Sequence, residues 1–316
     1  MKKESIVYFL LLCLCGVFFS CNQTKIEDPL VVPLYCDDDF KPFISSGIEV
    51  FESMQTDQSP RGFVATYGNE KEAFNLLLND SVRIIVASRK VSENERKLLL
   101  DKKKLIPRNV LIGYDGLAII VNNSNPDSLI TVENLRKIFT GEINTWSELN
   151  LASKLGDILP VFNNHTSGAV RYVQDSICRG AELSSNLKAL STNQKVLQFV
   201  SETPNAMGII GVSWVSNERD SLQLSFSEKI SVMSISKEET ATKYNSYLPF
   251  QYYIKTADYP FFREVYVIYT GLPNGTERKF ADFMARDRGQ LIIKNAGLLP
   301  VSPTTTEKQV RIKDNL

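Results

Sequence analysis

Val82-Arg83-Ile84-Ile85-Val86-Ala87-Ser88-Arg89 is the stretch on which the fold class turns. Val82 to Val86 is a nearly continuous apolar run, the pattern of a strand buried on both faces by covering helices. Helical spacing lies on either side of it, over Lys71 to Leu78 and Val91 to Leu100. Farther upstream, Leu30 to Tyr35 reads as a strand and Val64 to Tyr67 as another. Between them Pro42 opens a helix, as proline is tolerated in a first turn, with Ile44, Ile48 and Phe51 on one face. Strand and helix alternate, so the expected class is α/β with a mainly parallel sheet flanked by helices.

A second unit of the same kind begins after Gly113. Leu117 to Val121 is a short apolar strand. Thr131 is a good N-cap with Glu133 in the first turn. Leu135, Ile138 and Phe139 form a buried face, and Gly141 ends the helix. Leu159 to Phe162 is a strand that runs into Asn163-Asn164-His165-Thr166-Ser167-Gly168. A helix follows with Val170, Val173 and Ile177 inward and Gly180 at its end. Gln194 to Glu202 is helical and Met207 to Ile210 is a strand. The chain is expected to return to its first unit around Gln251 to Thr256. Closing helices span Arg278 to Met284 and Gln290 to Asn295, with Gly297 as a stop.

The 316 residues allow two lobes. Lys+Arg and Asp+Glu are both 36, so the charge balance leaves no electrostatic footprint for nucleic acid. Lys2 and Lys3 precede an apolar run from Ile6 to Phe19, then Ser20 and Cys21. This is the layout of a secretory signal and is too short for a spanning helix, which needs about 20 apolar residues. Phe18-Phe19-Ser20-Cys21 resembles a bacterial lipobox, which implies lipid on Cys21 and an envelope protein anchored to a membrane. Ordinary cleavage with a soluble mature chain is the other reading. With the signal gone and Cys21 lipidated, Cys36 and Cys178 remain, too few for a disulfide framework. Cys178 shares an apolar helical face with Val170 and Val173, as a buried thiol would. A single histidine, His165, rules out a His-rich metal site, and no nucleophile motif accompanies it. The chain is therefore expected to be neither an enzyme nor cofactor-dependent.

Ligands of open α/β sheets bind beyond the carboxyl ends of the strands. Three loops fall there: Cys36-Asp37-Asp38-Asp39, Ala87-Ser88-Arg89 and Thr166-Ser167-Gly168. Helix N-termini offer unpaired N–H groups to an oxyanion. Gly168 permits close backbone approach. Ser88, Thr166 and Ser167 carry hydroxyls, and Arg89 carries a planar fork. Asp38 and Asp39 could accept a ligand proton. Each feature also has a plainer reading: Ser167 as an N-cap, Arg89 as a solvated charge, the aspartates as a helix cap and His165 as a loop residue.

Several strings, in order, resemble the PstS-like phosphate-binding proteins of phosphate ABC transporters. Gly113-Tyr114-Asp115-Gly116-Leu117-Ala118-Ile119-Ile120-Val121-Asn122 resembles their lobe-crossing strand. Leu135 to Trp146, Val200 to Gly211, Tyr259-Pro260 and Phe280 to Pro300 resemble the segments that follow. The resemblance implies a type II periplasmic-binding fold. Residues 1–20 would be the signal, 21–29 a linker, 30–113 with 251–316 one lobe, and 114–250 the other. It further implies a monomer that holds phosphate or a similar oxyanion through Ser88, Arg89, Ser167 and Gly168 and delivers it to an ABC permease. The chain departs from the pattern where Asp37 to Asp39 replace a hydroxyl-rich loop, Asn163 replaces an arginine and Ala169 a threonine. A structural or regulatory lipoprotein that has lost phosphate transport and binds a protein partner or another ligand is the alternative those departures raise.

Overall fold

The computed structural model describes residues 31–55, 62–216 and 226–302. The expected signal segment, the linker and Cys21 lie outside the described residues. In the first lobe, β1 (Val32–Asp37), α1 (Lys41–Ser53), β2 (Phe63–Gly68), α2 (Glu70–Leu78), β3 (Ile84–Ala87) and α3 (Glu93–Leu98) alternate as expected. Next comes β4 (Arg108–Val121), then β5 (Leu129–Thr131), α4 (Val132–Thr140), α5 (Trp146–Leu149), β6 (Leu159–Phe162) and α6 (Gly168–Tyr172). Beyond these run β7 (Lys188–Ala189), α7 (Asn193–Glu202), β8 (Ala206–Gly211), β9 (Ser231–Val232), β10 (Ser234–Ser236), β11 (Ser246–Tyr247) and α8 (Gln251–Lys255). The described chain closes with β12 (Phe262–Tyr269), α9 (Thr276–Met284), α10 (Asp287–Asn295) and β13 (Leu299–Pro300).

The main sheet runs β2-β1-β3-β12-β4-β8-β6-β7. Strand β1 pairs parallel to β2 and β3, and β6 pairs parallel to β7 and β8. Strand β4 joins the lobes. Its Arg108–Gly116 portion pairs antiparallel with β12 and its Leu117–Val121 portion antiparallel with β8. The period-two alternation of a strand then divides its side chains. Ala118 and Ile120 join the core that runs beneath both lobes, with Ile44, Val86, Val200 and Phe280. Leu117, Ile119 and Val121 face a second core with Leu135, Phe139 and Trp146.

Local signals explain most of these elements. The Thr131 hydroxyl accepts from Asn134 N–H at 3.0 Å and caps α4, a contact that contributes about 1 kcal/mol. Gly141 ends that helix at φ +82°, where a side chain would be strained. At the expected return, Gln251 Nε2 donates to the Lys294 carbonyl of α10 at 2.7 Å. Ile254 of α8, Tyr259 and Phe261 pack into the second core. The returning element is β12, an aromatic and β-branched strand that the helical reading of the C-terminal third passed over. The crossing strand is longer than the apolar Leu117–Val121 run: its first half pairs with β12 and packs Val110, Leu111 and Ile112 against the cores.

Candidate functional site

The carboxyl ends of β1, β3 and β6 meet where the lobes face each other, and the three loops expected to converge do so around Gly168. A Cβ placed on Gly168 would lie 2.5 Å from Ser88 Oγ, 2.9 Å from Asp37 Oδ2 and 3.0 Å from Glu70 Oε2. Gly168 N–H donates to Asp37 Oδ2 at 3.0 Å, across the cleft. Burial pushes the Asp37 carboxyl well above its usual range, with the charges of Asp39 and Glu70 adding to the effect.

Glu70 occupies the middle of the arrangement. It opens α2 behind the Asn69 cap, whose side chain accepts from Glu72 N–H. The Glu70 side chain turns away from the helix toward the loop after β3. Its Oε2 accepts Ser88 N–H at 2.8 Å and the Ser88 hydroxyl at 2.5 Å. Its Oε1 accepts Arg171 Nε from the second lobe at 2.6 Å. Arg171 Nη2 also donates to Ser88 Oγ at 3.0 Å. Burial alone would raise the Glu70 pKa, yet the Arg171 charge and the Arg171 and Ser88 hydrogen bonds leave it below its usual value. Glu70 is thus an ionised carboxylate held by a backbone N–H, a hydroxyl and a guanidinium.

Below it lies a buried network. Arg263 of β12 donates from Nη2 to Asp39 Oδ2 at 2.7 Å and to Asp115 Oδ2 at 2.9 Å, and its side chain is 2% exposed. Burial would lower the Arg263 pKa, but Asp39 and Asp115 raise it. Burial pushes Asp115 up to about 6 despite the opposing Arg263 charge. Asn193 donates its backbone N–H to Asp38 Oδ2 at 3.0 Å and its amide to Asp39 Oδ1 at 2.9 Å. Asn163 Nδ2 donates to Asp39 Oδ1 at 2.9 Å. Among the described residues, Arg263 Nη1 and Asn193 Oδ1 are buried with no hydrogen-bond partner.

The residues expected at the site fall into two groups. Asp38, Asp39, Ser88, Ser167 and Gly168 are buried at the lobe interface. Ser167 Oγ accepts Val170 N–H at 3.3 Å as an N-cap. Asp38 and Asp39 accept from asparagines of the facing lobe. Thr166 is exposed, and its hydroxyl donates to Asn164 Oδ1 at 2.9 Å. Arg89 does not present an open fork. Nη1 and Nη2 each reach Glu95 at 2.8 Å, and the guanidinium stacks 3.4 Å from the Phe74 ring centre. A cleft of about 340 Å³ opens beside Glu70, Arg89, Arg171 and the exposed His165.

Arg171, Glu70 and Arg263 did not stand out in the sequence. Arg171 follows Ser167 by four residues, which on a helix places it above the cap. Arg263 is a charge inside an aromatic and β-branched run, and such a residue in a buried strand needs a partner. Glu70 carried no signal beyond that of an acidic first-turn residue.

A sheet of this topology with the site at the lobe junction defines a two-lobed periplasmic-binding fold. Residues 24–288 match the model of the PBP superfamily domain, and the chain belongs to that superfamily. It is similar to the phosphate-binding protein PstS of Bacillus subtilis (strain 168), 26% identical over 213 residues, 66% of this chain and 62% of that protein. The chain thus spans less than two thirds of that relative. The PstS protein of Pseudomonas aeruginosa is 22% identical over 239 residues, 71% of this chain and 69% of that one. A putative phosphate ABC transporter substrate-binding protein from Clostridium perfringens, solved with bound phosphate, superposes with a TM-score of 0.70 at 20% identity. That match covers 86% of this chain and 100% of the other.

Proposed function

We propose that this chain is a solute-binding protein that closes its lobes on phosphate, in the cell envelope and held to a membrane by lipid on Cys21, and hands it to an ABC importer. The observation that carries the reading is the convergence on Gly168 of Gly168 N–H, Ser88 N–H and O–H, and the Arg171 guanidinium. That is a set of oxyanion donors with a charge-assisted member. Arg171 supplies the cation missing at Asn163. The Asp37 carboxylate, when ionised, can accept a hydrogen from a protonated oxyanion, whereas fully ionised sulfate brings a second anion against it with no hydrogen to share. Closure is a hinge motion at the two crossings between the lobes, on β4 near Gly113 and at the return near Gln251. No step of this cycle makes or breaks a covalent bond, and the chain acts as a binding protein rather than an enzyme.

A second reading, a scaffold or regulatory lipoprotein, is favoured by one observation. Asp37 and Glu70 already accept from the donors that a ligand would use. Calorimetry of the purified chain with phosphate, and with sulfate as control, decides between the readings. Phosphate-selective heat at micromolar concentration supports the receptor. No heat and no thermal stabilisation at millimolar phosphate leaves the scaffold.

A further inference from the structure

The Glu70 carboxylate reproduces what an oxyanion in this cleft would do. Two oxygens take a backbone N–H and a hydroxyl from Ser88 and a guanidinium N–H from Arg171. Glu70 and Ser88 belong to the first lobe and Arg171 to the second, so the carboxylate ties the lobes together. It does not act alone. Gly168 N–H on Asp37, Asn193 on Asp38 and Asp39, and Trp214 Nε1 on the Asp38 carbonyl at 3.1 Å also cross the cleft. Of the crossing acceptors, Glu70 is the one bound to a charged donor beside the open 340 Å³ cleft. It therefore sits where an entering ligand first competes.

We infer that Glu70 is a built-in counter-anion that holds the lobes closed without ligand and sets specificity, because an entering oxyanion must displace it from Ser88 and Arg171. This rests on the oxyanion reading above for the identity of the ligand, but not for the closure itself. A ligand can shift a two-state protein only by its differential affinity for the two states. Here the closed, self-satisfied state competes with the binding-competent one. If the competent state is about 1–10% populated, apparent affinity falls by that fraction. Weakly held anions are then excluded, and the anion that enters must outbid an internal carboxylate for Arg171.

The test compares the purified full-length chain in detergent with Glu70→Ala, by small-angle scattering in phosphate-free buffer and by calorimetry with sodium phosphate and sodium sulfate. Wild type is expected to be compact without phosphate. E70A is expected to be more extended without phosphate, to compact at millimolar phosphate, and to bind it about 10–100-fold tighter than wild type. E70A as compact as wild type in phosphate-free buffer overturns the inference. So does weaker phosphate binding in E70A, which would make Glu70 a ligand contact instead of a competitor. Opening of E70A with no phosphate heat from either protein upholds the counter-anion and refutes the phosphate reading. Arg171→Gln removes the same tie from the other lobe and should open the ligand-free chain as well. If E70A is poorly folded, a compact, ligand-free R171Q overturns the inference on its own.

Discussion

Replacing Arg263 with methionine tests the buried network on which the cleft floor rests. Methionine keeps most of the side-chain volume and removes the charge. Arg263, Asp39 and Asp115 have side chains 2%, 0% and 0% exposed, with Nη2 2.7 Å and 2.9 Å from the two carboxylates. At an effective dielectric constant of about 20, one unit pair about 4 Å apart contributes about 4 kcal/mol before desolvation is counted. Desolvation offsets much of this in the wild type, but in the variant the buried carboxylates lose their partner without regaining water. Breaking such a pair costs about 3–5 kcal/mol. That is a large part of the roughly 5–15 kcal/mol that holds an average domain folded, and at about 2–4 °C per kcal/mol it lowers Tm by about 6–20 °C. Urea unfolding followed by tryptophan fluorescence measures it, since Trp214 donates to the Asp38 carbonyl beside the network. Adding Asp115→Asn to R263M should recover part of the loss by removing one stranded charge. A loss under about 1 kcal/mol, or no recovery in the double variant, refutes the reasoning.

Other predictions follow from the same geometry. Gly168→Ala puts a methyl group within 3.0 Å of Ser88, Asp37 and Glu70. It should cost about 1–3 kcal/mol through overpacking and hold the lobes apart, which urea titration and small-angle scattering would show; unchanged values contradict the proposed contact. Asp115 is raised to about 6 in the folded chain. A raised folded pKa contributes stability that is fully present below the unfolded value and is lost as pH rises through about 6. The stability of wild type minus that of Asp115→Asn should therefore fall by about 2.4 kcal/mol between pH 4 and pH 7, and a difference that rises or stays flat is the contrary result. Cys36 and Cys178 are both buried free thiols, and burial raises both pKa values. Peptide mapping after iodoacetamide treatment at pH 8 should find them unmodified until urea is added, whereas labelling in the native state contradicts their burial.

What could be read without coordinates was local. The apolar run at Ile84 to Val86, the Thr131 cap and the Gly141 stop are each set by residues within a few positions of one another, so alternation and capping were enough to place them. The meeting of Asp37, Ser88 and Gly168 was also legible in outline, because strand carboxyl ends of an α/β sheet share one edge. Folding alone decided which charges face which. Glu70 and Arg171 stand 101 positions apart, and Arg263 and Asp39 stand 224 apart. No periodicity links such pairs. Arg89 illustrates the converse: a fork suited to an anion is taken by Glu95, six residues away, because the turn between β3 and α3 brings that carboxylate round first. Composition and pattern determined the class of fold and the edge of the sheet where a ligand belongs. The packing of two lobes determined that the chain's own carboxylates, brought in from distant segments and desolvated together, hold the donors at that edge.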